Sequence, residues 1–477
     1  MPEQPDPAAP RLTRESPELA ELLTAVRGQV MFPGSEGFDE ELSGYQTYVR
    51  NRPDIVVGVD GVDDVRAAVA FAAEHDLAIS VQATGHGMAY AAEGGLLIST
   101  RRMNDVHIDP RARTARVAAG ASWRQVIEQA AEHGLAPLSG SFPDVCAVSY
   151  VLGGGLGLVA RQYGYAADHV RSLDIVTGNG ELLRTGPETQ PELFWALRGG
   201  GGNFGVVTSM EVDLFPITSL YGGRLVFDTP HVEDAMNAFH AWAQDCPEEM
   251  TGALKLVQVP NLEPIPALFR GKFLAIVLIA YNGDPAEAER VVEPLRAVGP
   301  RLVDALAPVP YTESGSIHDE PEEPHVVYGN SFMLSDLNPA TVKAILDTVG
   351  ADAPASVMTE IRQLGGAVAR DPATPNAVSH RDAAYALRVI SALEDVGMEV
   401  ARPVHERLDE ALAPWTMGRS LNFVHSDGRK PSEDQVRSLW SKQNYERLAR
   451  IKAAHDPRNL FRFNFNVPPA SEAAPHN

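Results

Sequence analysis

Apolar residues recur along this chain at two spacings, and the spacing changes from segment to segment. Ser16-Pro17 has the form of a helix cap followed by proline at the first helical position. Leu19, Leu22, Leu23 and Val26 then fall on one helical face, so folded structure is expected from residue 16 onward. An apolar run at 55–59 predicts a strand, 62–74 a helix with Val62, Val65, Val69 and Ala72 inward, and 79–82 a second strand, together one β-α-β unit. A less regular unit follows, with a strand at 115–118 and a helix over 123–133 stopped by Gly134. Runs at 173–177 and 181–184 read as strands joined through Asn179-Gly180, a pair suited to a tight turn with positive φ. A further strand at 206–214 ends at Pro216.

Beyond Pro216 the character changes. Strand candidates at 225–227, 253–259, 273–281 and 357–364 are separated by amphipathic helices such as 232–242 and 339–349, which predicts a second region of α+β type. The longest apolar run, 273–281, has nine residues, against the roughly 18–20 that a bilayer-spanning helix needs. The segment 444–469 opens on a short helical pattern through Leu448 and Ile451 and continues into Phe461-Arg462-Phe463-Asn464-Phe465-Asn466. No internal repeat is visible.

Composition narrows the possibilities. With 477 residues, 44% hydrophobic and 22% charged, the chain can build a sizeable core and has no disordered or collagenous signature. A net charge of −23 repels nucleic-acid phosphates and anionic lipid surfaces, so neither nucleic acid nor membrane is expected as a partner. Residues 1–14 lack a basic segment followed by an apolar one, which leads to the expectation of a cytoplasmic protein. Cys146 and Cys246 cannot make a disulfide framework, and no His/Cys spacing suggests a metal. No heptads or unusual apolar face distinguish monomer from homodimer.

Candidate chemistry gathers at three glycine clusters: Thr84-Gly85-His86-Gly87, Gly153-Gly154-Gly155-Leu156-Gly157, and Arg198-Gly199-Gly200-Gly201-Gly202-Asn203-Phe204-Gly205. Each can bring bare backbone N–H groups to phosphate oxygens. None matches the Walker pattern or a dinucleotide GxGxxG between strand and helix; their joint occurrence is the informative part.

Gln82-Ala83-Thr84-Gly85-His86, then the 153–157 glycines with Arg161-Gln162-Tyr163-Gly164 and Asp168, then 193–201, resemble the FAD-binding half of the vanillyl-alcohol-oxidase (PCMH-type) superfamily. The nearest branch is the berberine-bridge-enzyme-like oxidases, of a bacterial secondary-metabolism type, whose closing segment is similar to 452–464. The match is strong over residues 50–215 and 440–469 and weaker between them. It implies an α+β protein: a PCMH-type FAD-binding domain of two α/β subdomains, interrupted by a substrate domain whose antiparallel sheet, covered by helices, roofs the flavin. The corresponding division is a flexible leader at 1–15, the first part of the FAD domain at 16–216, the substrate domain at 217–440, a returning segment at 441–469 and a flexible tail at 470–477.

The resemblance also implies residue roles. His86 holds the place of the histidine bonded to the flavin 8α-methyl group, a link that anchors the cofactor and raises its potential. A second link through cysteine is not expected, because Gly140-Ser141-Phe142-Pro143 puts Phe142 where relatives have Cys, and Cys146 reads as a small buried residue. Tyr150, where His is common, either meets the flavin's pyrimidine edge or fills space. The remaining cofactor contacts implied are Gln82, Ala83, Thr84, Gly85, Gly87, Ser141, Val145, Gly153, Gly154, Gly155, Gly157, Gly205, Val207, Asn464 and Asn466.

A flavin that accepts hydride needs a base to take the proton from the adjoining O–H or N–H. Glu360 is one candidate, though it shares a strand face with Arg362 and could simply pair with it. The family's usual bases are replaced here by 386–390 and by Ser420-Leu421, leaving Tyr385, His425 and His380 as ionisable alternatives. The expected activity is two-electron oxidation of a small aromatic or polyketide-like metabolite, with O2 as acceptor and H2O2 as product. The alternatives are a dehydrogenase or oxidative cyclase with another acceptor, and a flavin-containing metabolite-binding resistance protein with little turnover.

Overall fold

The computed structural model describes residues 16–354, 357–425 and 427–471. The expected leader at 1–15 and all but the first two residues of the expected tail lie outside them. Among the described residues the strands form three sheets, of four, five and nine strands.

The four-stranded sheet runs Gln29–Met31, Ile55–Gly58, Leu96–Ser99, Ile79–Gln82. The helix Val62–Glu74 packs on it with Val65, Ala68, Val69 and Ala72 fully buried. The expected β-α-β unit is present with one correction: Leu96–Ser99 lies between its two strands and pairs in parallel with both. A second correction concerns Leu23, half exposed while Leu19 and Leu22 are buried, so the inward stripe of Leu19–Ala25 is narrower than its apolar content.

The five-stranded antiparallel sheet orders Val106–Asp109, Thr114–Ala118, Gly205–Asp213, Val170–Thr177 and Leu182–Thr185. Its last hairpin turns at Gly180, with φ +76°. The helix Trp123–Ala131 starts at a capping box in which Ser122 and Gln125 satisfy each other's backbone N–H groups.

The large sheet is antiparallel throughout. Its strands follow the order Arg301–Asp304, Ser219–Phe227, Phe273–Tyr281, Met250–Gln258, Met358–Gln363, Tyr385–Ala392, Val327–Leu334 and Thr416–Gly418, with Ala307–Pro310 paired beside Ser219–Phe227. Helices Val232–Gln244, Pro285–Arg296, Pro339–Val349 and Met398–Leu412 cover one face, where Phe239, Ile345 and Leu408 meet Leu254, Leu256, Ile361, Leu387 and Val389 in one core. The period of two then sends Lys255, Glu360, Arg362 and Arg388 to the other face, and that face looks toward the glycine loops.

Buried cations tie the halves together. Arg161 donates to the carbonyls of Leu364, Pro247, Met250 and Cys246 across the boundary. Asp168 accepts from Arg381 at 2.5 Å and Asn376 at 2.6 Å. The returning helix Lys442–His455 places Lys452 in the interior, where Nζ donates to Asp456, to Asn203 O and to Phe461 O at 2.6–2.9 Å. Beyond it the chain joins the first sheet, with Ile79 N donating to Leu460 O. The tail thus packs back onto the first sheet and the 201–205 loop.

Candidate active site

A cavity of about 770 Å³ lies between the glycine loops and the polar face of the large sheet. One wall is the loop after Ile79–Gln82. Gly85 has φ +66° and packs against Gly44, where a Cβ would come within 2.7 Å of the Gly44 Cα. Tyr45 N and Gln46 N donate to the carbonyls of Thr84 and Gly85, fixing that approach. Tyr45 then lies flat on the imidazole of His86, ring centres 4.3 Å apart and planes within 9°. Thr84 Oγ1 shares a 2.9 Å hydrogen bond with His86 Nδ1 and accepts from Cys146 N at 3.3 Å. Among the described residues, His86 Nε2 is buried without a partner. Burial, and after it the neighbouring His425, lower the His86 pKa to about 4, so the ring is neutral at physiological pH.

His86, Ala83, Gly87, Ser141, Val145, Tyr150, Gly153, Gly205, Val207 and Asn464 all line this cavity. The other expected cofactor contacts stand behind it, and each has a different task. Gln82 donates to the carbonyls of Leu42 and Ser43 at 3.1 Å. Thr84 and Gly85 shape the His86 loop. Gly154 faces Val378; a Cβ on Gly155 would reach within 2.5 Å of the Tyr150 ring, and one on Gly157 within 2.4 Å of Ser139 O. These three glycines therefore admit neighbours of the protein itself and do not border the cavity. Asn466 also lies outside the wall, its Oδ1 buried and unpartnered.

The cavity suits a flavin dinucleotide on the chemistry of its walls. Tyr150 Oη, His86 Nε2 and Asn464 Oδ1 are buried polar atoms without partners among the described residues, all on residues that line the one cavity, and such atoms are costly unless something bonds them. An added Cβ at Gly87 or Gly202 would meet nothing within 4 Å, leaving bare backbone along the same walls. His86, Tyr150, Asn464 and the 201–205 loop are the residues that would hold the group. Cys146 Sγ donates to Ala119 O at 3.1 Å, and Phe142 sits 5.3 Å from the His86 ring.

The roof is ionic. Lys255, Glu360 and Arg388 stand opposite one another on three neighbouring strands. Glu360 is wholly buried, accepts from Arg362 at 3.3 Å and from Arg388 Nε, and has His318 Nδ1 2.8 Å from its other oxygen. Burial would raise its pKa, but Arg362 and Arg388 outweigh burial and hold it well below the carboxylate range. Glu320 accepts from Arg388 at 2.8 Å and from Ser141 Oγ at 2.6 Å; Arg388 overcomes its burial and brings it to about 2.

Two expected bases are corrected by this geometry. Glu360 is absent from the cavity wall, sealed behind the two guanidinium groups that neutralise it. Tyr385 shares the helix-covered face with Leu387 and Val389, and its hydroxyl meets His240 at 3.1 Å and Gln244 at 3.3 Å. His380 also lies elsewhere, against Ser438 O. His425 does line the cavity: its backbone pairs with Gly329, its Nδ1 is buried with no partner among the described residues, and burial lowers its pKa to about 4. Sequence reasoning missed Lys255, Glu320, His318 and Tyr45. Lys255, between Leu254 and Leu256, could have been found from strand alternation; Glu320 follows no periodic pattern.

Comparison with known proteins adds to this geometry. The family described as FAD binding domain matches residues 53–186, and that described as berberine and berberine like matches residues 421–468. (R)-6-hydroxynicotine oxidase of Paenarthrobacter nicotinovorans is 27% identical over 93% of this chain and 97% of its own. The crystal structure of 6-hydroxy-D-nicotine oxidase from Arthrobacter nicotinovorans superposes with a TM-score of 0.81 at 26% identity, covering 93% of this chain and 98% of that one. Xylooligosaccharide oxidase from Myceliophthora thermophila C1 gives a TM-score of 0.83 at 22% identity, over 96% of this chain and 100% of that one, a likeness of fold.

Proposed function

Since this chain belongs to the berberine-bridge-enzyme-like FAD-linked oxidoreductases, we propose that it is an oxidase with FAD covalently held by His86. It acts on a small aromatic or polyketide-like metabolite, with O2 as the final acceptor. The observation that carries this reading is the His86 ring, held by Tyr45 and Thr84 with a neutral, unpartnered Nε2 at the cavity wall. Bound FAD would supply two-electron chemistry, taking a hydride from a substrate C–H bond and giving H2O2 on reaction with O2.

The chain's own part is to position the substrate and move its proton. His425 is the proposed base: it is neutral above pH 4, it lines the cavity, and its Nδ1 has no competing partner among the described residues. Tyr150 stays protonated because burial raises its pKa, so its hydroxyl is a donor in the same space. Glu320 and Glu360 are held ionised by their arginines and serve to fix those arginines in place.

The test is acid precipitation of purified protein, followed by peptide mapping. Flavin fluorescence retained on the peptide containing His86, with peroxide released on turnover, is the expected result. Flavin released into the supernatant removes the covalent link, and sluggish reoxidation in air removes the oxidase.

A further inference from the structure

The ionic roof holds more positive charge than its own carboxylates neutralise. Lys255, Arg362 and Arg388 are each less than a tenth exposed and line the cavity, against the two carboxylates Glu320 and Glu360. His318, packed on Glu360, does not change this balance, since burial lowers its pKa to about 4. The remaining charged pair at the wall, Arg224 with Asp319 at 2.9 Å, cancels. His86 and His425 are neutral.

The surplus has donors to spare. Arg362 NH2 is engaged by Ser141 Oγ and Glu360, but its Nε–H is buried without a partner among the described residues. Lys255 Nζ has three N–H donors and gives one to His318 O at 2.7 Å. A buried cation short of partners is costly, and an entering anion relieves that cost while gaining charge-assisted hydrogen bonds.

We propose that the part of the substrate lying under the roof carries a carboxylate, received by Lys255 and Arg362. This names the substrate class for the cavity read above as the flavin site and rests on that reading. Such a ligand brings the roof to electrical balance, and a neutral analogue of the same shape does not.

The experiment titrates oxidised holoenzyme with benzoate and with benzamide, probes of one shape that differ in charge. Binding is followed by perturbation of the flavin absorption band and, separately, by heat. The expected result is benzoate binding at least about tenfold more tightly, with Lys255→Met bringing the two probes near parity. Equal affinity, tighter benzamide, or no binding of benzoate overturns the proposal. Should Lys255→Met keep the benzoate preference and instead lower the flavin reduction potential, the surplus charge serves the cofactor and the proposal again fails. The comparison on the unmodified protein stands even if the variant does not fold. A colourless protein would overturn the flavin reading alone, because the heat of binding still decides between the probes.

Discussion

Tyr45 and His86 form a parallel stack, ring centres 4.3 Å apart, although they come from separate loops that meet through Gly44 and Gly85. The stack fixes the imidazole plane, and Thr84 fixes its rotation about that plane. The proposed bond from His86 to a flavin methyl group would need that orientation before it forms. Tyr45→Leu is therefore expected to lower the fraction of flavin retained after acid precipitation while noncovalent FAD still binds. Loss of the stack itself costs about 1 kcal/mol. Unchanged covalent incorporation in this variant would show that the stack has no part in attachment.

His425 makes a separate prediction about pH. A base must be neutral to act, and His425, the proposed base, is protonated only as pH falls through about 4. The rate of flavin reduction is expected to be flat through neutrality and to fall on an acid limb near that value. His425→Gln should cut the rate by roughly 10²–10⁴ and remove the limb, leaving substrate affinity less affected than turnover. A limb that persists in the variant assigns the proton to another group.

The returning tail depends on Lys452 and Asp456, both fully buried. Asp456 also accepts from the N–H groups of Leu460 and Phe461 at 2.9 and 3.0 Å, so the two partners are not equivalent. Asp456→Ala strands a buried ammonium and two amides and should cost about 3–5 kcal/mol. Lys452→Met leaves the carboxylate its amide donors and should cost less. Denaturant midpoints of the two variants give the order directly; the reverse order would refute the account.

Much of this arrangement was written in the periodicity. Leu254-Lys255-Leu256 and Ile361 between Glu360 and Arg362 alternate cleanly, and the same parity places Tyr385 with Leu387 and Val389 on the helix side, away from the cavity. That rule excludes Tyr385 as a base. The strand Leu96–Ser99 gives no alternation because it is buried on both faces, so four residues of it carry no signal. Glu320 lies between a short 3-10 turn and the next strand, where no period applies, and only the tertiary fold brings it to Arg388 and Ser141. Gly155 and Gly157 were legible as glycines of a motif, but whether a glycine admits a cofactor or a neighbouring side chain is decided by packing that the sequence does not display.

Buried neutral histidines make the fold itself acid-sensitive. His405 stacks on Tyr328 at 4.3 Å, shares a 3.0 Å hydrogen bond with Ser391 Oγ, and is lowered by burial to about 3; His318 is lowered to about 4. Each has an ordinary value of 6.5, so between that pH and its folded value the unfolded chain binds a proton that the folded protein does not. Stability is then full above pH 6.5 and falls as pH drops, by about 1.4 kcal/mol per pH unit for each such group. Glu320, lowered to about 2, extends the loss below its ordinary 4.5. Replacing His405 with glutamine removes one titrating group while keeping a polar partner for Ser391. The plot of unfolding free energy against pH should then lose about one proton of slope between pH 6.5 and 4, and an unaltered slope would mean that His405 is already charged in the fold.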